Sequence, residues 1–125
     1  MPMQITLQKT PRGKDYVRFL SSGDVTAEDA EGMSKLIAPG TPMSNKAILA
    51  VVEPGAKFSP EARQAFTKSG GAEGAANPVA IVVTSAPVRV MLSFIIRMSG
   101  AAANTRFFAN EPDALTYIEE KLAGS

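Results

Sequence analysis

The sequence contains no cysteine, histidine or tryptophan, and only two tyrosines and six phenylalanines among its 125 residues. Without Cys and His, a disulfide, a Ser-His-Asp triad, an imidazole general base and thiolate or imidazole metal sites are excluded. A chain of this length buries roughly two-thirds of the surface that its unfolded form exposes, so it needs no disulfide or structural metal. We therefore expect a single domain over residues 1–125, with no cofactor and no metal ion.

A strong excess of charge and a long apolar run are also missing. Thirteen Lys and Arg against twelve Asp and Glu give a net charge of +1, which provides little attraction for nucleic acid or an anionic membrane. No stretch approaches the roughly 18 apolar residues of a membrane span, and the N-terminus lacks the basic start and apolar run of a signal peptide. We expect a cytoplasmic protein with neither a nucleic-acid partner nor integral membrane association.

Five segments of the sequence are typical of strands. Apolar residues near 5–7 and 16–20 flank a polar turn at 10–15, which predicts an antiparallel hairpin. The continuous apolar runs within 46–53 and 79–84 show no alternation, as expected of strands covered on both faces. Residues 105–109 predict a brief final strand.

Four segments are typical of helices, and each begins after a residue that favours the N-cap position. These residues are Thr26, Ser59, Ser85 and Asn110. The predicted order is β-β-α-β-α-β-α-β-α. Strands that alternate with helices indicate an α/β fold with a mostly parallel sheet, here preceded by the N-terminal antiparallel hairpin.

The third predicted helix is more apolar than a surface helix needs to be. One face is supplied by Val88, Met91, Leu92, Ile95 and Ile96, and a second apolar row by Val90, Phe94 and Met98. Three interpretations remain open: deeper burial in the core, a homodimer face, or the wall of a pocket for an apolar small molecule or lipid. The candidate residues for the pocket or dimer face are Val90, Met91, Phe94, Ile95 and Met98.

Three phrases of the sequence resemble the SpoIIAA-like branch of the STAS superfamily, relatives of bacterial anti-sigma factor antagonists. They are residues 17–29 (VRFLSSGDVTAED), 79–85 (VAIVVTS) with the apolar helix that follows, and 105–118 (TRFFANEPDALTYI). The resemblance covers nearly the whole chain and includes no catalytic signature. It implies a βα superhelix shared with lipid-carrying SEC14-type domains, and a non-enzymatic bacterial regulatory or protein-interaction module with an unidentified protein partner.

The same resemblance implies a site at the start of the second helix. The signalling relatives carry a serine there that a partner kinase phosphorylates, and the matching stretch here is 56–61 (AKFSPE). Ser59 keeps the hydroxyl, but the acidic residue before it and the glycine after it are absent. Ser59 is thus a candidate phosphoacceptor, although a serine before Pro60 is also the usual N-cap of a helix. The implied partner surface comprises Lys57, Ser59, Pro60, Glu61 and Arg63.

Two other features carry weaker hypotheses. Glu53 follows a predicted central strand, at the edge where open α/β sheets bind ligands, but it lacks a second acid or an activated nucleophile nearby in the sequence. The glycine-rich segment 69–74 follows a helix and precedes a strand, which is the reverse of a phosphate-binding loop. We therefore expect no catalytic residue and interpret 69–74 as a connecting loop.

Overall fold

The computed structural model describes residues 3–36, 40, 46–65, 78–99 and 105–123. Five strands form the main sheet in the order β1-β2-β4-β6-β7, and two short strands, β3 and β5, pair separately. The strands are β1 Met3–Lys9, β2 Asp15–Ser21, β3 Asp24–Val25, β4 Ala47–Val52, β5 Lys57–Phe58, β6 Val79–Val83 and β7 Thr105–Phe108. The helices are α1 Ala27–Leu36, α2 with residues 60–65 described, α3 Ala86–Ser99 and α4 Glu111–Ala123.

The predicted N-terminal hairpin is confirmed. Strands β1 and β2 pair antiparallel, with Leu7 opposite Val17. The turn between them is closed by Thr10, whose N–H donates to the Lys14 carbonyl and whose hydroxyl accepts from the Lys14 N–H. Gly13 has a φ of +83°, a left-handed conformation that glycine adopts without steric cost.

The rest of the main sheet is parallel, as predicted from the alternation of strands and helices. Strand β2 pairs with β4, β4 with β6, and β6 with β7, all in parallel. The central strands β4 and β6 have no polar residue, and their side chains pack on both sheet faces. An α/β fold with a mostly parallel sheet and an antiparallel N-terminal hairpin is therefore confirmed.

The core divides between the two faces of the sheet. On one face α4 packs on the strands; the buried residues are Tyr16, Ala47, Leu49, Ala80, Val82, Ala114, Tyr117 and Ile118. On the other face α2 contributes Ala62 to a cluster with Val17, Phe19 and Val25. On the same face α3 contributes Leu92 and Ile95, next to Val52, Ile81 and Val83. Helices α2 and α3 thus share one side of the sheet.

The short ladder between β3 and β5 is absent from the predicted element order. Asp24 pairs with Lys57 and Val25 with Phe58, in parallel. Two residues are too short to show the alternation by which a strand is recognised in a sequence. The ladder matters because it joins the start of α1 to the start of α2.

The predicted connecting loop 69–74 lies outside the described residues. Within the described part of the chain, no helix is both long and apolar enough to cross a membrane.

Candidate functional site

The first turn of α2 is fixed by the β3–β5 ladder and by a side-chain cap. The Lys57 N–H donates to the Gly23 carbonyl at 2.8 Å, and the Ser59 N–H donates to the Val25 carbonyl at 3.1 Å. The Ser59 hydroxyl accepts a hydrogen bond from the Ala62 N–H at 3.0 Å. Ala62 is fully buried, so the helix is anchored at its start and along its inner side.

On α3, the second apolar row faces solvent. Val90, Phe94 and Met98 are 70%, 63% and 62% exposed. They lie four residues apart, so they form one stripe along the helix, whereas Leu92 and Ile95 on the inner side are buried. The interpretation that this row lies in the core is wrong, because the inner side of α3 already covers its part of the sheet.

An open groove with a volume of about 830 Å³ runs between α2 and α3. Seven of its nine lining residues are apolar, and Arg63 is the charged residue among the nine. The lining residues are Pro60, Arg63, Gln64, Pro87, Val90, Met91, Phe94, Ile95 and Met98. Buried Ile95 and half-buried Met91 are anchored in the core, and the exposed row forms the outer part of the α3 side.

The groove is lined by two groups of candidate residues that lie in separate segments of the sequence. All five candidates for an apolar face line it on α3, and Pro60 and Arg63 from the candidate partner surface line it on α2. Lys57 on β5 and Glu61 on α2 are exposed but do not line the groove. Ser59 is half-buried and also lies outside the lining, directly before Pro60.

Two lining residues, Gln64 and Pro87, were not among the candidates. Gln64 follows Pro60 by four residues and Pro87 precedes Val90 by three, the spacings that place side chains on one side of a helix. The helical spacing of these two residues can be recognised in the sequence. It does not identify them as groove residues, because the sequence does not show that α2 and α3 lie side by side.

Glu53 lies apart from this groove. It is exposed in the loop after β4, and its N–H donates to the Ser21 carbonyl at 3.0 Å. Because Val52 pairs with Val83, the edge where Glu53 emerges also carries Thr84. Among the described residues, no group of three or more carboxylates is arranged to hold a metal ion. In the described part of the chain, Glu53 therefore belongs to no such metal-binding group.

The titratable groups with shifted pKa values belong to the opposite face of the sheet and to the hairpin. Burial raises the pKa of the Tyr16 hydroxyl, and the hydrogen bond that Arg18 donates to the Glu111 carboxylate raises the pKa of Arg18. Hydrogen bonds from Lys9 and Lys46 lower the pKa of Asp15. Each shift has a local packing or ion-pair cause, and none of these groups lines the groove.

Comparison with solved structures places the fold in a known class. An uncharacterized protein of the DUF3478 family from Shewanella loihica PV-4, which has a SpoIIAA-like fold, resembles this chain with a TM-score of 0.67. The similarity covers 93% of each chain at 20% sequence identity, so the SpoIIAA-like fold predicted from the sequence is confirmed. Residues 19–122 match the model of a family described as a domain of unknown function, DUF7793, and the chain belongs to this family. No curated protein matches it in sequence.

Proposed function

We propose that this chain is a non-enzymatic regulatory module that binds a partner protein through the groove between α2 and α3. The observation that carries the proposal is the exposed row of Val90, Phe94 and Met98 beside that groove. Large apolar side chains are costly to leave in water, and a contiguous apolar surface is typical of a protein-interaction site.

The shape of the groove supports a macromolecular partner. It is partly open to solvent, and the three outer side chains are more than half exposed. A pocket for a small molecule normally encloses most of its ligand, whereas a helix or loop of a partner can cover an open trough. Pro60 and Pro87 stiffen the two helix starts beside the groove, which reduces the entropy lost on binding.

Site-specific photo-cross-linking tests the proposal. A photoreactive amino acid at position 90 should give a discrete product with another protein in cells that make this chain. The same reagent at position 7, where Leu7 is an exposed apolar residue on β1, serves as the control and should give none. The position-90 product should disappear in a Phe94→Asp background and persist in a Leu7→Asp background. A position-90 product that Phe94→Asp leaves unchanged would contradict the proposal.

A carrier of an apolar small molecule or lipid is the second candidate, and the size of the groove favours it. About 830 Å³ lies within the volumes that ligand pockets usually have, and Met91 and Met98 can adapt to an apolar ligand. Native mass spectrometry of protein purified from its own cells distinguishes the two candidates. An added lipid-sized mass would support the carrier, and a bare chain mass would remove it.

A further inference from the structure

The α3 side of the groove carries positive charge without any acidic residue. Between Glu73 and Glu111 the sequence has no Asp or Glu, while α3 itself contains Arg89 and Arg97. Arg97 follows Phe94 by three residues, so it lies about 60° around the helix from Phe94, beside the exposed apolar row. Arg97 is itself exposed, and its charge therefore borders that row.

A second arginine borders the groove from the other side. Arg63 lines the α2 wall, opposite the apolar row of α3. Arg89 has a different location, because its guanidinium lies 5.5 Å from the centre of the Phe107 ring, towards β7. The apolar row is thus flanked by Arg63 on α2 and Arg97 on α3, and an occupant would meet a positive group on either side.

The length of the α3 wall suits a helix of about three turns. From Pro87 to Met98 the α3 wall is about 16 Å long, which corresponds to three helical turns. Its outward apolar residues recur once per turn, and Met91 and Met98 can adjust to the side chains of an occupant. Such a surface is typical of recognition in which an amphipathic helix inserts its apolar side into a groove.

We propose that the occupant is an acidic amphipathic helix of another protein, with apolar residues one turn apart and carboxylates on both flanks. This inference rests on the proposed function and adds the chemistry of the partner. A contact between the α3 helices of two copies fits less well, because neither α3 has an acidic side chain to pair with Arg97.

Binding of two synthetic helical peptides to the purified full chain tests this inference. Both peptides carry the same apolar residues at four-residue spacing; one has Glu on both flanks and the other has Lys. By fluorescence anisotropy at low salt, the Glu peptide should bind about tenfold more tightly than the Lys peptide, and the difference should shrink as salt screens the charges. Equal affinities, or no binding by either peptide, would overturn the inference.

Charge-reversal variants test whether Arg63 and Arg97 cause the preference for the Glu peptide. The double variant Arg63→Glu with Arg97→Glu should reverse the preference so that the Lys peptide binds more tightly. The matched control, Arg12→Glu with Lys14→Glu, makes the same change in net charge at exposed positions of the hairpin turn and should keep the preference for the Glu peptide. A preference that both double variants change equally would show a non-specific charge effect and overturn the inference.

The cross-linking experiment separates the two proposals. If the position-90 product with another protein persists in the Arg63→Glu, Arg97→Glu variant, the proposed function stands and the acidic helix is wrong. If the product is a pair of copies of this chain, the occupant is a second copy and the acidic helix is again wrong. Loss of a heteromeric product in this variant, but not in the Arg12→Glu, Lys14→Glu control, would support the inference.

Discussion

Arg18 on β2 and Glu111 in the first turn of α4 form an ion pair in which Arg18 Nε lies 2.8 Å from Glu111 Oε1. The pair joins the second strand to the last helix, 93 residues apart in the chain. Glu111 also lies where the positive end of the α4 dipole favours an acid. This contact fixes the start of α4 on the face of the sheet opposite the groove.

The ion pair should make a modest contribution to stability. The side chains are 25% and 41% exposed, so water screens part of the attraction. We expect Glu111→Gln to lower the free energy of unfolding by about 1 kcal/mol in urea titrations at neutral pH. Glu120→Gln, at an exposed position of the same helix, should leave it nearly unchanged. Equal losses in both variants would show that the pair itself contributes nothing.

Acid stability should depend on Asp15. Its carboxylate lies 2.8 Å from Lys9 Nζ and 3.4 Å from Lys46 Nζ, and these contacts hold its pKa below the ordinary value of 3.8. A lowered folded-state pKa stabilises the fold above the unfolded-state pKa, and this contribution disappears as pH falls through the folded-state pKa. Between about pH 5 and pH 2, the urea midpoint should therefore fall less in Asp15→Asn than in the parent chain.

Lys9→Gln provides the control for this pH dependence. It removes the largest cause of the lowered Asp15 pKa. The urea midpoint of this variant should therefore also fall less than that of the parent chain as the pH is lowered. Parallel pH curves for the parent chain and Asp15→Asn would contradict the prediction.

The cap at Ser59 predicts a stability effect that does not depend on any modification. Removing the acceptor of the Ala62 N–H in Ser59→Ala should lower the free energy of unfolding by about 1 kcal/mol. Ser59→Asp keeps an oxygen acceptor at the cap and should stay within a few tenths of 1 kcal/mol of the parent chain. If Ala and Asp have the same effect in thermal or urea unfolding, the hydroxyl has no capping role.

Two glycines should respond to alanine with opposite signs. Gly23 has a φ of +62°, so Gly23→Ala introduces backbone strain and should destabilise the fold by about 1 kcal/mol. Gly32 lies within α1, and an added Cβ there meets open space. Gly32→Ala should therefore stabilise the fold by about 0.5–1 kcal/mol. Both values come from urea titrations, and a destabilising Gly32→Ala would contradict the assignment of α1.

The sequence contained enough information for the main sheet and its helices. Continuous apolar runs predicted β4 and β6, and capping residues at Ser59 and Asn110 predicted helix starts where the structure has capping hydrogen bonds. These features depend on neighbouring residues in the chain. The ladder of Val25 with Phe58 depends instead on contact between two segments that are distant in the chain. Its two-residue strands are too short to show a periodic pattern in the sequence.

Only the two sides of the candidate groove, as separate segments, could be predicted from the sequence. The sequence showed an excess of apolar residues on α3, but the same pattern fits a buried helix, an interface and a pocket wall. Only packing decides between them, because Ile95 and Phe94 are adjacent in the chain and differ in exposure from 6% to 63%. The proximity of Arg63 to the α3 row is likewise a consequence of α2 and α3 packing on the same face of the sheet.

The neighbouring pair Phe94 and Ile95 allows the exposed row to be tested in solution. Phe94→Asp places a charge on the surface and should change the free energy of unfolding by no more than about 0.5 kcal/mol. Ile95→Asp places the same charge in the core and should lower it by several kcal/mol, on the order of 3 or more. Urea titrations followed by circular dichroism measure both. A Phe94→Asp chain as unstable as Ile95→Asp would show that the row is buried in solution, and the surface on which the proposed function depends would not exist.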